Sequence, residues 1–224
     1  MFEIRGNEFH FNGSSYHLQK YTLDCNGDGK VDSHHRWGPA ACFYLGSNEE
    51  HHIITVSRDP GDMGIVHFHV NAKYRDNFIG VIQFGDAKWR SFKNSFRGTK
   101  TSLPSQGVPD LRYVEDMSGM FQDSGISYLP DAEKWDVSQV TNMSAMFKNA
   151  KNFNIGKAPL YKGSIANWDV SGVANMRNMF KGASKFSQNL KCWKVNNIVL
   201  ASSFKPGWSA KATPPSKDRT SCNN

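Results

Sequence analysis

From Ile79 onward, large apolar residues return along the chain in one order, with polar residues between them. "WDVSQVTNMSAMF" sets out Trp135, Val140, Met143, Met146 and Phe147, and "WDVSGVANMRNMF" sets out Trp168, Val173, Met176, Met179 and Phe180. An earlier copy, "PDLRYVEDMSGMF", gives Pro109, Val114, Met117, Met120 and Phe121, and "FGDAKWRSFKNSF" gives Phe84, Trp89, Phe92 and Phe96. A degraded copy closes the series at Trp193, Ile198, Ala201 and Phe204. Phe96, Phe121, Phe147 and Phe180 succeed one another at steps of 25, 26 and 33 residues. The longer step is placed in an insertion, "GKAPLYKG", Gly156–Gly163. A recurrence of this length is the signature of a solenoid, in which each unit is one supersecondary element.

Within a unit, Val140, Met143 and Phe147 stand at i, i+3 and i+7, the spacing of one helical face. That spacing predicts short helices over Gln139–Asn149 and Gly172–Gly182, with Ser138 and Ser171 placed to cap them by accepting a backbone N–H bond. The stretches between, "KNFNIG" with "SIANW" and "KFSQNLKCW", alternate loosely and are read as short strands stacked in parallel from coil to coil. One unit alone cannot bury a Trp, two Met and a Phe, whereas stacked neighbours can. Each such side chain contributes roughly 1.5–3 kcal/mol on full burial. Trp135, Val140, Met143, Phe147, Trp168, Val173, Met176 and Phe180 are therefore assigned to the core, and the repetition speaks of architecture rather than catalysis.

The first sixty residues carry no repeat. "FEIRGNEFHF", "SSYHLQKYTL" and "HHIITVS" alternate apolar and polar residues as short strands do, around the turn-rich "LDCNGDGKVDS". The expected division is a small β-rich domain over 1–62, the repeat solenoid over 63–208 and a tail over 209–224.

The repeat also resembles a known family. "WDVSQVTNMSAMFKNAKNFN" is similar to the short repeat of bacterial BspA-like leucine-rich-repeat surface proteins, abundant too among mycoplasma surface lipoproteins, whose unit reads W-D-V-S-x-V-T-N-M-x-x-M-F-x-x-A-x-x-F-N. Trp135–Asn154 matches almost throughout and Trp168–Phe186 nearly as well. "VIQFGDAKWRSFKNSF" resembles the opening unit of such arrays, and "CWKV" with a late Cys resembles their closing segment. The insertion and the loss of the Met pair in the last unit depart from the pattern. The resemblance implies an α+β fold class: a short leucine-rich-repeat-like solenoid, helix plus short strand per coil, preceded by a small β-sandwich-like domain. "YTLDCNGDGKVD" with the later "ACFYLGSNEEHHIITVS" resembles the polycystic-kidney-type sandwich that often precedes these repeats. Placement at the cell surface or in the secreted fraction, and attachment to host proteins or other cells, are likewise implied.

Charge sharpens the division. Through Phe78 there are 7 Lys+Arg against 10 Asp+Glu; from Ile79 the balance is 20 against 10, for a net +7 overall. All eight histidines fall between His10 and His69. The basic half lacks a nucleic-acid motif or a dense Arg/Lys–aromatic cluster, so no nucleic acid is expected. A solvated surface is the leading reading of these lysines; attraction to an acidic host protein, a glycan or an anionic cell surface fits at least as well as a phosphate backbone. Lys148, Lys151, Lys181 and Lys185 recur just after the predicted helices and form a candidate binding row, with plain solubility ranked above a binding role. No apolar run approaches the ~20 residues of a membrane span, and the start lacks the basic-then-apolar layout of a secretory signal.

Four cysteines, Cys25, Cys42, Cys192 and Cys222, allow three pairings; the local one, Cys25–Cys42 and Cys192–Cys222, is preferred and implies an oxidising compartment. Asp24, Asn26, Asp28, Gly29 and Asp32 fit the opening of a calcium loop, with oxygen ligands at alternate positions, but His35 stands where a bidentate Glu belongs. An Asn/Asp/Gly turn explains these residues equally well and ranks above calcium. His67 and His69 share one side of a strand, and His34, His35, His51 and His52 are further candidate zinc ligands without a fixed third position. No catalytic motif is present, and Asp136 and Asp169 recur at turns. The expectation is a non-catalytic binding or adhesion module recognising a macromolecule. The alternatives are a metal-dependent effector or enzyme using the His-rich domain, and a structural appendage or fibre tip.

Overall fold

The computed structural model describes the side chains of Phe84 and of residues 89–100, 108–154, 164–195 and 213–215, and the backbone of eight strands before them. These strands are β1 Phe2–Arg5, β2 Glu8–Ser14, β3 Tyr21–Asp24, β4 Ser33–His35, β5 Gly38–Phe43, β6 His51–Arg58, β7 His67–Val70 and β8 Phe78–Val81. They form a five-stranded sheet ordered β4-β3-β6-β1-β8 and a three-stranded sheet ordered β5-β2-β7. Every pairing among these strands is antiparallel. The β-branched run Ile53, Ile54, Thr55, Val56 suits the centre of the larger sheet, where β6 pairs with β1 on one side and β3 on the other.

The boundary expected at residue 62 moves. β7 pairs with β2 (Phe11 opposite Val70), and β8 pairs with β1 (Phe2 opposite Val81), so the β-rich unit extends at least to Val81. Both late strands sit at sheet edges, completing sheets begun by the first fourteen residues. The charge change at Phe78/Ile79 marks this limit more closely than the strand pattern did.

Beyond the sheets, copies of the repeat lie over one another in register. Parallel bridges join Ser91 to Asp116, Asp116 to Asn142, and Asn142 to Asn175. The helices predicted over Gln139–Asn149 and Gly172–Gly182 do not form; these stretches are chains of turns. Left-handed residues interrupt any helix: Ala145 (φ 55°), Asn149 (φ 59°), Asn178 (φ 60°) and Gly182 (φ 76°). Alternate N–H groups then take two different partners. Met146, Lys148 and Ala150 donate three residues back, to Met143, Ala145 and Phe147. Met143, Ala145, Phe147 and Asn149 donate instead to the next coil, to the carbonyls of Asn175, Arg177, Met179 and Lys181 at 2.7–2.9 Å. The same rungs run from Met117, Gly119, Phe121 and Asp123 to Asn142, Ser144, Met146 and Lys148, and from residues 92–98 to 116–122. Because the backbone donors must all be satisfied, alternate bonds are made between coils, which locks their register.

Most of the parallel backbone bonds therefore fall on the segment read as helical; the stretches read as strands contribute the Asn154 N–H bond to Ser127 O and the Asn189–Thr213 bridge. Directly after Ser164 comes a 3₁₀ turn, Ile165–Asn167, matched one coil earlier by Ala132–Lys134. Three-residue turns place Val140, Met143 and Met146 on one side as well as a helix would, so the spacing alone did not separate the two.

Inside the stack, Phe96, Phe121, Phe147 and Phe180 form one column, their ring centres 5.5, 5.6 and 5.5 Å apart and tilted by 8–13°. Phe153 and Phe186 make a second column, each 4.0 Å from the ring beside it in its own coil. Trp135 stacks on Trp168 at 6.2 Å. The indole N–H of Trp168 donates to Ala132 O at 2.7 Å, and that of Trp193 to Ile165 O at 2.9 Å, so each of these two tryptophans ties its coil to the preceding turn. Val140, Met143, Val173 and Met176 are buried with them.

The tail expected over 209–224 is partly built into the stack. Thr213 bridges Asn189 in parallel, accepting from Leu190 N–H at 2.9 Å and donating to Gln188 O at 3.0 Å.

Candidate binding surface

The turn that opens each coil is held by its own side chains. Asp136 Oδ1 accepts from Ser138 N–H (3.1 Å) and Ser138 O–H (2.6 Å), and Asp169 Oδ1 accepts from Ser171 N–H (3.0 Å) and O–H (2.7 Å). The serines therefore donate to an aspartate; they do not cap helices. Hydrogen bonds from Ser171 are the main reason the Asp169 carboxyl lies below its ordinary range. Asn142 and Asn175 close the next turn in the same way, accepting from Ser144 and Arg177 N–H. In the coil before, Asp116 takes that role toward Ser118 N–H, and Asp110 pairs with Arg112 through two bonds of 2.9 and 2.7 Å. Asp110, Asp116, Asp136 and Asp169 thus have work inside the fold.

The opposite edge is different. Residues 97–100, 122–125, 148–152 and 181–185 carry Arg97, Lys100, Lys148, Lys151, Lys181 and Lys185, and one acid, Asp123. The inter-coil register puts Arg97, Gln122, Lys148 and Lys181 in one column, since each lies at the offset of the Ser91, Asp116, Asn142 and Asn175 bridges. Lys151 aligns with Ser184, whose hydroxyl donates to Lys151 O at 3.4 Å, and Lys185 Nζ donates to Asn152 Oδ1 at 3.0 Å. The four lysines named from the sequence therefore share one edge, but as neighbouring columns rather than a single row. Lys151, Lys181 and Lys185 are exposed and Lys148 is half-buried. The ammonium groups of Lys148, Lys151 and Lys181 have no partner among the described residues. Asp123 lies 3.7 Å from Arg97 Nε and accepts from Asn149 Nδ2 at 2.8 Å.

Between these columns lies an open groove of about 510 Å³, lined by Asp123, Ser124, Gly125, Asn149, Lys151 and Asn152. The sequence pattern did not single out Arg97 and Lys100, because the first copy keeps only the aromatic half of the motif; aligning it on Phe96 brings both into the basic edge. Nor did it single out Tyr113, an exposed aromatic with the Arg90 and Arg112 guanidinium carbons each 5.9 Å from its ring centre.

The other candidate sites are only partly in view. Asp24 ends β3, whereas Asn26, Asp28 and Asp32 of the calcium-like loop lie outside the described residues. His67 and His69 fall on β7, in the smaller sheet; His34, His35, His51 and His52 fall on β4 and β6, in the larger one. Among the described residues, no group of three His, Cys, Asp or Glu is placed to hold a metal ion. Cys192 is disulfide-bonded. Cys25 and Cys222 lie outside the described residues and Cys42 is described only as part of β5, so the pairing expected from the sequence is not in view. Among the described residues no helix is long and apolar enough to cross a membrane.

Fold and surface together define a repeat protein whose coils share one apolar interior and present a basic edge along the stack. The chain belongs to the family described as Mycoplasma protein of unknown function, DUF285, which matches residues 90–205, just over half of its length. The matched span begins within the first copy of the repeat, after Phe84 and Trp89, and covers the later ones. Membership in a mycoplasma-type family is thereby established. No curated protein and no solved structure matches the chain.

Proposed function

We propose that this protein is a non-catalytic binding module of the bacterial cell surface or the secreted fraction, recognising an acidic macromolecule through the outer face of its repeats. The repeats' likeness to BspA-like leucine-rich-repeat proteins belongs to this proposal, as do the solenoid and sandwich classes assigned to the two parts of the chain. The observation that carries the reading is the contrast between interior and edge. The apolar interior recurs from coil to coil, and the aspartates of the turns are occupied with hydrogen bonds, but Lys148, Lys151 and Lys181 on the basic edge bond to no other described residue through their ammonium groups. A stack of coils supplies an extended surface whose outward residues vary while the core is kept.

The test is retention of the full chain on immobilised heparin and on an immobilised acidic glycoprotein, eluted with a salt gradient. Retention at low salt on at least one is expected, with early elution when Lys148, Lys151, Lys181 and Lys185 are all changed to Glu. No retention on either, at low ionic strength, refutes the proposal.

A further inference from the structure

Resting on that reading of the basic edge, we infer that its ligand is a linear sulfated or carboxylated polysaccharide lying parallel to the stacking axis, along the column Arg97–Gln122–Lys148–Lys181. The register is the first ground. Asn149 N–H donates to Lys181 O at 2.7 Å and Asn142 bridges Asn175, which holds the Cα atoms of Lys148 and Lys181 one coil apart, about 5 Å by the spacing of paired strands. Like charges directly opposite each other on paired backbones are destabilising. Solubility requires lysines on the surface but not stacked on one another, and with Gln122 neutral and Arg97 beside Asp123 it is Lys148 and Lys181 that stand uncompensated, which calls for counter-charges spaced along the same axis. A linear glycan carries its anionic groups at regular intervals on an extended chain and supplies such a series.

The second ground is the chemistry of the edge. The groove beside the column is open and polar, and Gly125 leaves its wall without a side chain: a Cβ there would approach Lys100 Cα at 3.3 Å. Asn149 and Asn152 line it together with Lys151, a mixture of amide and ammonium groups suited to sugar hydroxyls and acid groups. Single-stranded nucleic acid is a poorer fit, because it calls for aromatic platforms on which bases stack. The exposed large apolar residue among those described, Tyr113, belongs to the turn that opens its coil, next to Arg112 and away from the 122–125 stretch of the basic edge. Lysine is also the compact point charge that suits scattered sulfates and carboxylates, whereas paired arginines suit planar bidentate recognition.

The experiment compares heparin fragments of graded length, a polyglutamate peptide and an uncharged dextran for binding to the full chain, wild type and with Lys148→Gln, Lys181→Gln or both. Heparin fragments are expected to bind more tightly as they lengthen until they span the described coils, with each lysine removed weakening binding about fivefold. The same substitutions are expected to raise the melting temperature slightly, by about 1 °C at low salt, with the gain vanishing in high salt. This stability readout does not depend on any ligand. Polyglutamate binding as tightly as heparin of equal charge overturns the glycan assignment and leaves the broader function in place. Heparin binding unchanged in the double variant overturns the column as its site, and no binding of any polyanion overturns both proposals. A melting temperature that falls in both variants shows the lysines to be structural and likewise overturns the inference.

Discussion

Phe147 is where the stacked interior can be tested most directly. Its ring is fully buried, 5.6 Å from Phe121 in the coil before, 5.5 Å from Phe180 in the coil after and 4.0 Å from Phe153 in its own coil. Truncation to alanine removes the ring from all three contacts and leaves a void bounded on two sides by backbone that the inter-coil hydrogen bonds hold in place. Phe→Ala changes in cores cost about 3–5 kcal/mol, the larger values belonging to sites that cannot collapse. Here the Phe147 N–H bond to Met179 O and the Asn149 N–H bond to Lys181 O resist collapse, so a loss of about 4–5 kcal/mol is expected for Phe147→Ala. Phe147→Leu keeps much of the apolar volume and loses ring stacking, for about 1–2 kcal/mol. The assay is urea denaturation with disulfides intact, monitored by tryptophan fluorescence, since Trp135, Trp168 and Trp193 are all buried. Tyr113→Ala, on a half-exposed side chain, is the control and should cost under about 1 kcal/mol. If Phe147→Ala is no more damaging than Tyr113→Ala, the interior is not a column of stacked aromatic rings. Should the alanine variant fail to fold, the ranking of Phe147→Leu below wild type and of Tyr113→Ala near it carries the test.

Other positions answer to different forces. Gly182 has φ +76°, and a Cβ there would collide with Asn149 Oδ1, so Gly182→Ala should cost roughly 1–3 kcal/mol in the same assay, with Asn149→Gly restoring the steric share. Ala145 already occupies the left-handed region at φ 55°, so Ala145→Gly is expected to be neutral or to stabilise by about 0.5 kcal/mol, the opposite sign for the same type of position. Trp168→Phe removes the indole bond to Ala132 O, a carbonyl that still accepts from Trp135 N–H, so a loss of roughly 0.5–1.5 kcal/mol beyond any repacking is expected. Because Ser171 holds the Asp169 carboxyl below its ordinary range, the folded state binds fewer protons there than the unfolded chain. That contribution is present above the ordinary carboxylate value of about 4 and is lost as pH falls through the acid range; Ser171→Ala should shrink the acid-side loss and move the Asp169 carboxyl titration upward in NMR.

The recurrence of Trp, Val, Met and Phe was legible in the residue order alone. Apolar side chains must leave water whatever backbone carries them, and Val140, Met143, Phe147 and their counterparts are all inside. The order of the chain was also enough to place the cations of the later repeats after each Phe, and to show every histidine before Ile79 and the excess of cations after it. The backbone was another matter. A spacing of i, i+3 and i+7 fits an α-helix and a run of three-residue turns alike, and the choice depends on where the N–H groups find acceptors. In a stack, the neighbouring coil offers carbonyls that an isolated segment lacks, and left-handed residues at Ala145, Asn149, Asn178 and Gly182 turn alternate donors toward it. The end of the β-rich unit was likewise hidden, because β7 and β8 are completed by β2 and β1, more than fifty residues earlier. Which lysines stand opposite one another, and which acids are occupied in turns, depends on register. Register is a property of two segments held together, so only the tertiary structure decided it.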